Sequence, residues 1–278
     1  MTDITEWVGK SQEQVDTAWQ LTADRIAGLL DRDVLNTGET WPAAWVWSLF
    51  GHSVRHDQVG PDGHPARGGF LPPVALPRRM WASSHVEVHQ GIQTGERLKR
   101  VSTIKDVTEK DGRSGRLCFV IVDHEITGEK GAKLHDRHTI VYRGIEEKQE
   151  QQNPRTGEEI GFAPQWKTRV QPDPVMLFQY SAVTYNTHRI HYDDPYVREK
   201  EGYPGLVIHG PLTATLLLET VPANIKAARV KSFSMRARRP LFVPEAYDLA
   251  GRVDGKSFRL AAINAQNRIA MEIEGELA

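Results

Sequence analysis

Gly210-Pro-Leu-Thr-Ala-Thr-Leu-Leu-Leu-Glu-Thr-Val221 is followed directly by segments of alternating polarity, and that order decides the fold. The first stretch predicts a buried helix. Pro211 suits its first turn, where the missing N–H costs nothing. Lys231–Ala237 then alternates, with Phe233, Met235 and Ala237 on one face. Tyr247, Leu249 and Val253 share a face in the next segment. Phe258, Leu260 and Ala262 share one after a turn at Asp254-Gly-Lys256. In the last, Ile269, Met271 and Ile273 alternate with Arg268, Glu272 and Glu274. Period-two patterning of this kind marks half-buried antiparallel strands.

The N-terminal half repeats the order without repeating the letters. An amphipathic segment near Val15–Leu30 opens it. Thr40-Trp-Pro-Ala-Ala-Trp-Val-Trp-Ser-Leu-Phe50 predicts an apolar helix with Thr40 as its cap. Strand-like segments follow near His85–His89, Leu98–Thr108, Arg116–Ile126 and Arg137–Arg143, after a Gly- and Pro-rich loop from Gly51 to Pro77. One curved sheet per half, wrapped round one central helix, satisfies both patterns. The expected class is therefore α+β, with halves at 1–143 and 161–278. The polar stretch 144–160 between them reads as a linker, or alternatively as a long surface loop.

With 278 residues the chain has room for one large domain or two ordinary ones. The 35 basic and 36 acidic residues nearly cancel, which excludes a strongly basic nucleic-acid binder. The single cysteine, Cys118, excludes an intrachain disulfide framework and any multi-cysteine zinc site. No apolar run approaches the roughly 20 residues of a membrane span, and no secretory signal is visible. A soluble, cytoplasmic protein with no nucleic-acid or membrane partner is the expectation.

The chemistry-bearing segment is Tyr180-Ser-Ala-Val-Thr-Tyr-Asn-Thr-His-Arg-Ile-His-Tyr-Asp-Asp-Pro195, which groups Asn186, His188, His191 and Asp193. It reads as a polar loop leading to a short helix from Pro195 to Glu201, with Asp194 as cap and Gly202 as terminator. Tyr203–His209 then runs into Gly210 and the apolar helix. A helix N-terminus offers unpaired N–H groups to negative charge, and a histidine beside it supplies a proton-transfer group. Residue types alone leave the alternative of an ordinary capped turn.

This segment resembles the active-site motif of MaoC-like, type-2 enoyl-CoA hydratases, which have the hot-dog fold. Their motif is Asp, four residues, then His, usually with Asn-Pro before the His. Asn186 and His191 have that spacing, and His188-Arg189 stand where Asn-Pro is usual. Glu201-Gly-Tyr-Pro-Gly-Leu-Val-Ile-His-Gly-Pro-Leu212 brings the likeness closer to one subgroup. It contains 3-hydroxyacyl-thioester dehydratases of mitochondrial type and bacterial mesaconyl-C4-CoA (3-methylfumaryl-CoA) hydratases. The resemblance implies a double hot-dog chain whose N-terminal half is a degenerate partner supplying substrate-binding walls. It implies a hydro-lyase acting on an acyl-CoA thioester, with no cofactor beyond the coenzyme A of the substrate. Short branched dicarboxylic acyl groups such as mesaconyl-C4 or itaconyl are expected first, and simple 3-hydroxyacyl chains second. A homodimer of double hot-dog chains is the assembly to look for.

Within that reading His191 is the proton-transfer group, because its ordinary pKa lies near neutrality. Asn186 is an amide and cannot be a base, so it would orient the water by hydrogen bonds. Gly210, with no Cβ, would let the thioester oxygen approach the helix N-terminus. The alternatives are a loop-stabilising Asn–His pair and a plain helix-start glycine. Arg189 either meets a substrate carboxylate or fixes its loop. Arg236 and Arg238 either meet coenzyme A phosphates or belong to a solvated sheet face. Trp41, Trp45 and Trp47 are expected in the N-terminal core, or else lining an acyl pocket. No metal site is expected: His52/His56 and His85/His89 have helical spacing, but the second pair lies on a strand. Gly60-Pro-Asp-Gly63 and Arg67-Gly-Gly69 lack the flanking strand and helix of a phosphate loop. Thioesterase chemistry usually needs a carboxylate early on the central helix, and here Glu219 comes late. A catalytically silent thioester binder is the remaining alternative.

Overall fold

Strands of both halves join into one antiparallel sheet in the computed structural model, which describes residues 3–51, 53–112, 115–144 and 155–278. The first half contributes β1 (Ser11–Thr17), β2 (Arg78–Gln90), β3 (Arg97–Gly112), β4 (Gly115–Gly128) and β5 (Lys133–Arg143). The second contributes β6 (Trp166–Val170), β7 (Val230–Ala237), β8 (Tyr247–Asp254), β9 (Ser257–Ile263) and β10 (Ile269–Leu277). The order across the sheet is β1-β3-β4-β5-β2-β7-β10-β9-β8-β6. Read from its two outer edges, each side repeats the same sequence of strands. β2 pairs with β7 from Ser83↔Arg236 to Glu87↔Ser232, so the inner edge of each side is covered by the other.

The helices are α1 (Gln20–Leu29), α2 (Pro174–Thr184), α3 (Asp194–Glu199) and α4 (Gly210–Asn224). α4 is the central helix of the C-terminal side. Leu212, Ala214, Leu217, Leu218 and Val221 are buried, and so are Thr213, Thr215 and Thr220. The threonines tolerate this because each hydroxyl donates back to a carbonyl, those of His209, Pro211 and Leu217. A helix apolar on so much of its surface must be enclosed. Phe233 and Met235 of β7, Leu260 of β9 and Ile273 of β10 share one buried cluster with it. The expected alternation is present in these strands, and Gly255 at the β8–β9 turn takes φ +63.

Five local expectations are corrected. Thr40–Phe50 is not a regular helix but a 3-10 turn, Ala43–Ser48, entered from Pro42. Thr40 does not cap it; it bridges to Gln93. Three large indoles force the backbone here: Trp41 and Trp45 are buried edge-to-face, and Trp47 packs on Trp81 and Phe233. The Val15–Leu30 segment divides, its first residues closing β1 and the rest forming α1. Residues 180–184 are not loop but the last turns of α2, whose cap Asp173 accepts from the Met176 N–H. The cap of α3 is Asp193, accepting from the Tyr196 N–H, while Asp194 pairs with Arg198. The stretch 144–160 lies largely outside the described residues, and so does His52.

Candidate active site

The sequence between α2 and α4 folds back on itself to bring three histidines together. Tyr185 ends α2 in the left-handed conformation, and Asn186 Oδ1 then accepts the His188 N–H at 3.0 Å. A 3-10 turn, Arg189–His191, follows. Val207 fastens it from the other side. Its N–H donates to Ile190 O at 3.0 Å, and its carbonyl accepts His191 Nδ1–H at 2.7 Å. The first-half strand β2 braces the same region through Arg78, which donates to Glu201 O and lies over the Tyr203 ring.

That bond to Val207 fixes the tautomer of His191. With Nδ1 donating to a carbonyl, the lone pair is on Nε2. His191 is buried, and burial holds its pKa down at about 4, so the ring is a neutral base at physiological pH. His209, the residue before α4, stacks on it at 3.6 Å between centroids, with planes 19° apart. His209 Nε2 meets Ser181 Oγ at 2.9 Å, and burial pushes its pKa well below the usual value. His188 stands edge-on to His191 at 5.4 Å, and burial holds it at about 2.

Gly210 begins α4 directly after His209. Gly210 and Leu212 have N–H groups that no carbonyl four residues back can take, and Pro211 has none to offer. A Cβ at Gly210 would lie 3.4 Å from Trp81 of β2 and 3.8 Å from Met271 of β10, so side chains of both halves pack close to the helix start. The Trp81 indole N–H is buried and has no hydrogen-bond partner among the described residues.

The three expected catalytic residues thus occupy one region, linked through 186–191, Val207 and His209–Gly210. Of the three arginines, Arg189 lies in this same loop but is taken up by its own neighbours, and Arg236 and Arg238 fall elsewhere. Arg189 donates to Asp193 from Nε and Nη2 and to Pro61 O, and lies over Tyr196, so its contacts fix the loop. Arg236 is exposed on β7, alternating with the buried Phe233 and Met235. Arg238 pairs with Glu272. Glu219 is turned to the first half, where Arg32 and the Trp45 indole N–H hold it.

Sequence reasoning missed His209, Ser181 and Trp81, and also Asp62 and His64. Asp62 Oδ2 accepts from His64 Nδ1 at 3.0 Å, and the His64 ring lies 3.9 Å from that of His188. The only available signal was His209 itself, next to the helix-start glycine; contacts across the two halves leave no trace in local spacing.

A curved antiparallel sheet doubled across β2 and β7, with a neutral histidine beside a helix N-terminus, defines a thioester hydratase or dehydratase of the double hot-dog type. The chain belongs to the family Htd2, hydroxyacyl-thioester dehydratase type 2, which matches residues 44–243. It is 35% identical over 278 residues to the mesaconyl-C(4)-CoA hydratase of Chloroflexus aurantiacus, covering 99% of this chain and 98% of that one. Among solved structures, the MaoC-like dehydratase of Phytophthora capsici superposes with a TM-score of 0.74 at 13% identity, covering 100% of this chain and 98% of that one. A Mycobacterium tuberculosis protein described as having a double hot-dog fold gives 0.64 at 9% identity, covering 97% and 96%. The chain is a hydro-lyase of acyl thioesters, as the resemblance implied. No helix among the described residues is long and apolar enough to cross a membrane.

Proposed function

We propose that the chain hydrates a short branched dicarboxylic enoyl-CoA of the mesaconyl-C4-CoA kind, reversibly and without a cofactor, in the cytoplasm. The observation that carries the chemistry is the neutral, oriented His191 next to the first turn of α4. The full-length similarity to a mesaconyl-C(4)-CoA hydratase supports the substrate.

His191 Nε2 takes a proton from water while the oxygen bonds to the β-carbon of the enoyl group. The electron pair of the double bond moves onto the thioester oxygen, which the N–H groups of Gly210 and Leu212 receive. The protonated ring then returns its proton to the α-carbon, closing the balance. Asn186 has its Oδ1 engaged with the His188 N–H, which leaves its Nδ2 hydrogens to orient the water. The division at 144–160, with 1–143 as the half that supplies walls and 161–278 as the catalytic half, is part of the same proposal. Trp81 is such a wall. A homodimer is its proposed assembly.

A panel of enoyl-CoA esters, followed by loss of conjugated-enoyl absorbance beside a free-thiol assay, tests the reading. Enoyl loss without thiol release is expected, fastest for the branched dicarboxylic ester. Thiol release would point to a thioesterase. Faster turnover of straight-chain esters would move the assignment to a 3-hydroxyacyl-thioester dehydratase.

A further inference from the structure

The Gly60–His64 loop belongs to the first half, yet it is fastened to the catalytic loop of the second. Asp62 O accepts the Arg189 N–H at 2.9 Å, Pro61 O accepts Arg189 Nη1 at 3.0 Å, and Gly63 O accepts the Thr187 hydroxyl. Gly63 has φ +91, and a Cβ there would fall 1.9 Å from Thr187 O, so the two backbones touch. These bonds flank His188 on both sides. The loop also presents a side-chain array. Asp62 accepts the His64 N–H on Oδ1 and His64 Nδ1 on Oδ2, both at 3.0 Å. The His64 ring lies 3.9 Å from His188, which meets His191 edge-on. A carboxylate is thus connected through two imidazoles to the base. In the resembling enzymes a carboxylate stands where this chain has the uncharged Asn186.

We propose that Asp62 and His64 are positioning residues of the hydratase site, with Asp62 supplying through His64 and His188 the negative charge that Asn186 lacks. The inference rests on the hydratase reading above. When His191 takes the water proton its ring becomes cationic, and an anion at the end of the array stabilises that form. Burial alone would raise the Asp62 carboxyl, but its hydrogen bond to His64 and the nearby imidazoles hold it well below the usual range, so it is ionised. Arg79 and Arg67 bring positive charge toward His64, and Arg79 also toward His188. His209 covers the other face of His191 as a neutral ring. Asp62 is therefore the anion acting on the His64 and His188 rings, and it offsets the positive charge that a protonated His64 would bring toward His191. Asp62, His64 and His188 also bring ligand-capable atoms within 4.8 Å of one another. The two arginines oppose a cation there and favour the electrostatic role.

Asp62→Asn tests this, because it keeps an acceptor for the His64 N–H and every backbone contact while removing the charge. The expected result is a fall in kcat of about tenfold with KM within about twofold. The acid limb of kcat/KM should move to lower pH by up to about one unit, since losing an anion lowers the pKa of the neighbouring imidazoles. His64→Asn, which keeps a donor to Asp62 but removes the ring, should lose kcat similarly, and it decides the matter alone if Asp62→Asn does not fold. Unchanged kcat and acid limb, or a rise in KM alone, overturns the inference. So does a stoichiometric divalent metal in the wild type that Asp62→Asn loses together with activity. A wild type inactive on every enoyl-CoA overturns the hydratase reading and this one with it; an active wild type with an indifferent Asp62→Asn overturns this one only.

Discussion

His191 and His209 stack face to face at 3.6 Å, one holding a carbonyl through Nδ1 and the other meeting a serine hydroxyl through Nε2. Two imidazoles this close cannot both be charged without strong repulsion. The stack is compatible with one proton in transit and not with two at rest. It also locks the plane of His191, because one face is covered and one nitrogen is tied.

His191→Ala should therefore abolish hydration while leaving the fold intact. A loss of at least ~10²-fold is the usual scale for removing a general acid–base group. The measurement is turnover of the best enoyl-CoA beside circular dichroism and a thermal melt. A folded variant with near-parental turnover would remove His191 from the mechanism.

The same histidines predict how stability responds to acid. The His191 pKa is depressed to about 4 by burial, and His188 and His209 are depressed as well. Below pH ~6.5 the unfolded chain takes up protons that the folded chain refuses, so folding loses free energy as pH falls. For His191 the loss ends near pH 4, where the folded ring protonates too. Tm measured from pH 8 to 4.5 should fall, with the decline starting near 6.5. His209→Gln should flatten that decline; an unchanged pH profile in the variant would mean the stacked pair is not its source.

A buried polar cluster in the first half makes a separate prediction. Asp136 Oδ2 accepts from the Trp47 indole at 2.9 Å and meets His138 Nε2 at 2.7 Å, and Oδ1 accepts from Ser84. Burial would raise this carboxyl, but His138, His124 and Ser84 hold it down at about 2. Asp136→Ala would leave buried donors without an acceptor, costing at least ~2 kcal/mol. Urea unfolding would read this as a lower midpoint. Acid acts on the same group in a lower window than for the histidines: its contribution is full above pH ~4 and lost as pH falls through 2.

Local pattern was enough for the strands because their side chains sort into two faces. Phe233 and Met235, or Ile269, Met271 and Ile273, are read correctly without knowing what they pack on. α4 was legible for the related reason that enclosure leaves a continuous apolar run. The Trp41–Phe50 region was not, since Trp45 and Trp47 are placed by Glu219 and Phe233 of the other half, and an apolar run does not record which partner wins. β6, at the outer edge, buries only Val170 and shows little alternation. At the site, the 186–191 spacing carried a recognisable pattern. The Asp62–His64 pair is distant in sequence, so nothing in its own neighbourhood announces it.

Asn186→Asp is the sharpest test of how the loop is tuned. An aspartate can still accept the His188 N–H, so the turn that Asn186 Oδ1 closes should survive. The change is then one of charge. A carboxylate near the forming enolate disfavours it by like-charge repulsion. It also favours protonated His191, as Asp62 does, which raises that pKa from about 4 and moves the acid limb of the rate to higher pH without itself slowing the reaction near neutrality. In addition the carboxylate offers water no N–H donor, whereas the amide has two. Opposing these, the substitution restores the commoner Asp–His pair, in which the carboxylate can share the base role. His188 and Arg189 decide the balance. They stand where Asn-Pro is usual and are already bound to the first-half loop, so the surroundings are built around an amide. The expected outcome is slower hydration with a raised acid limb, measured as rate against pH for both proteins. A variant as fast as the parent, with its acid limb unmoved, would show that Asn186 does not orient water.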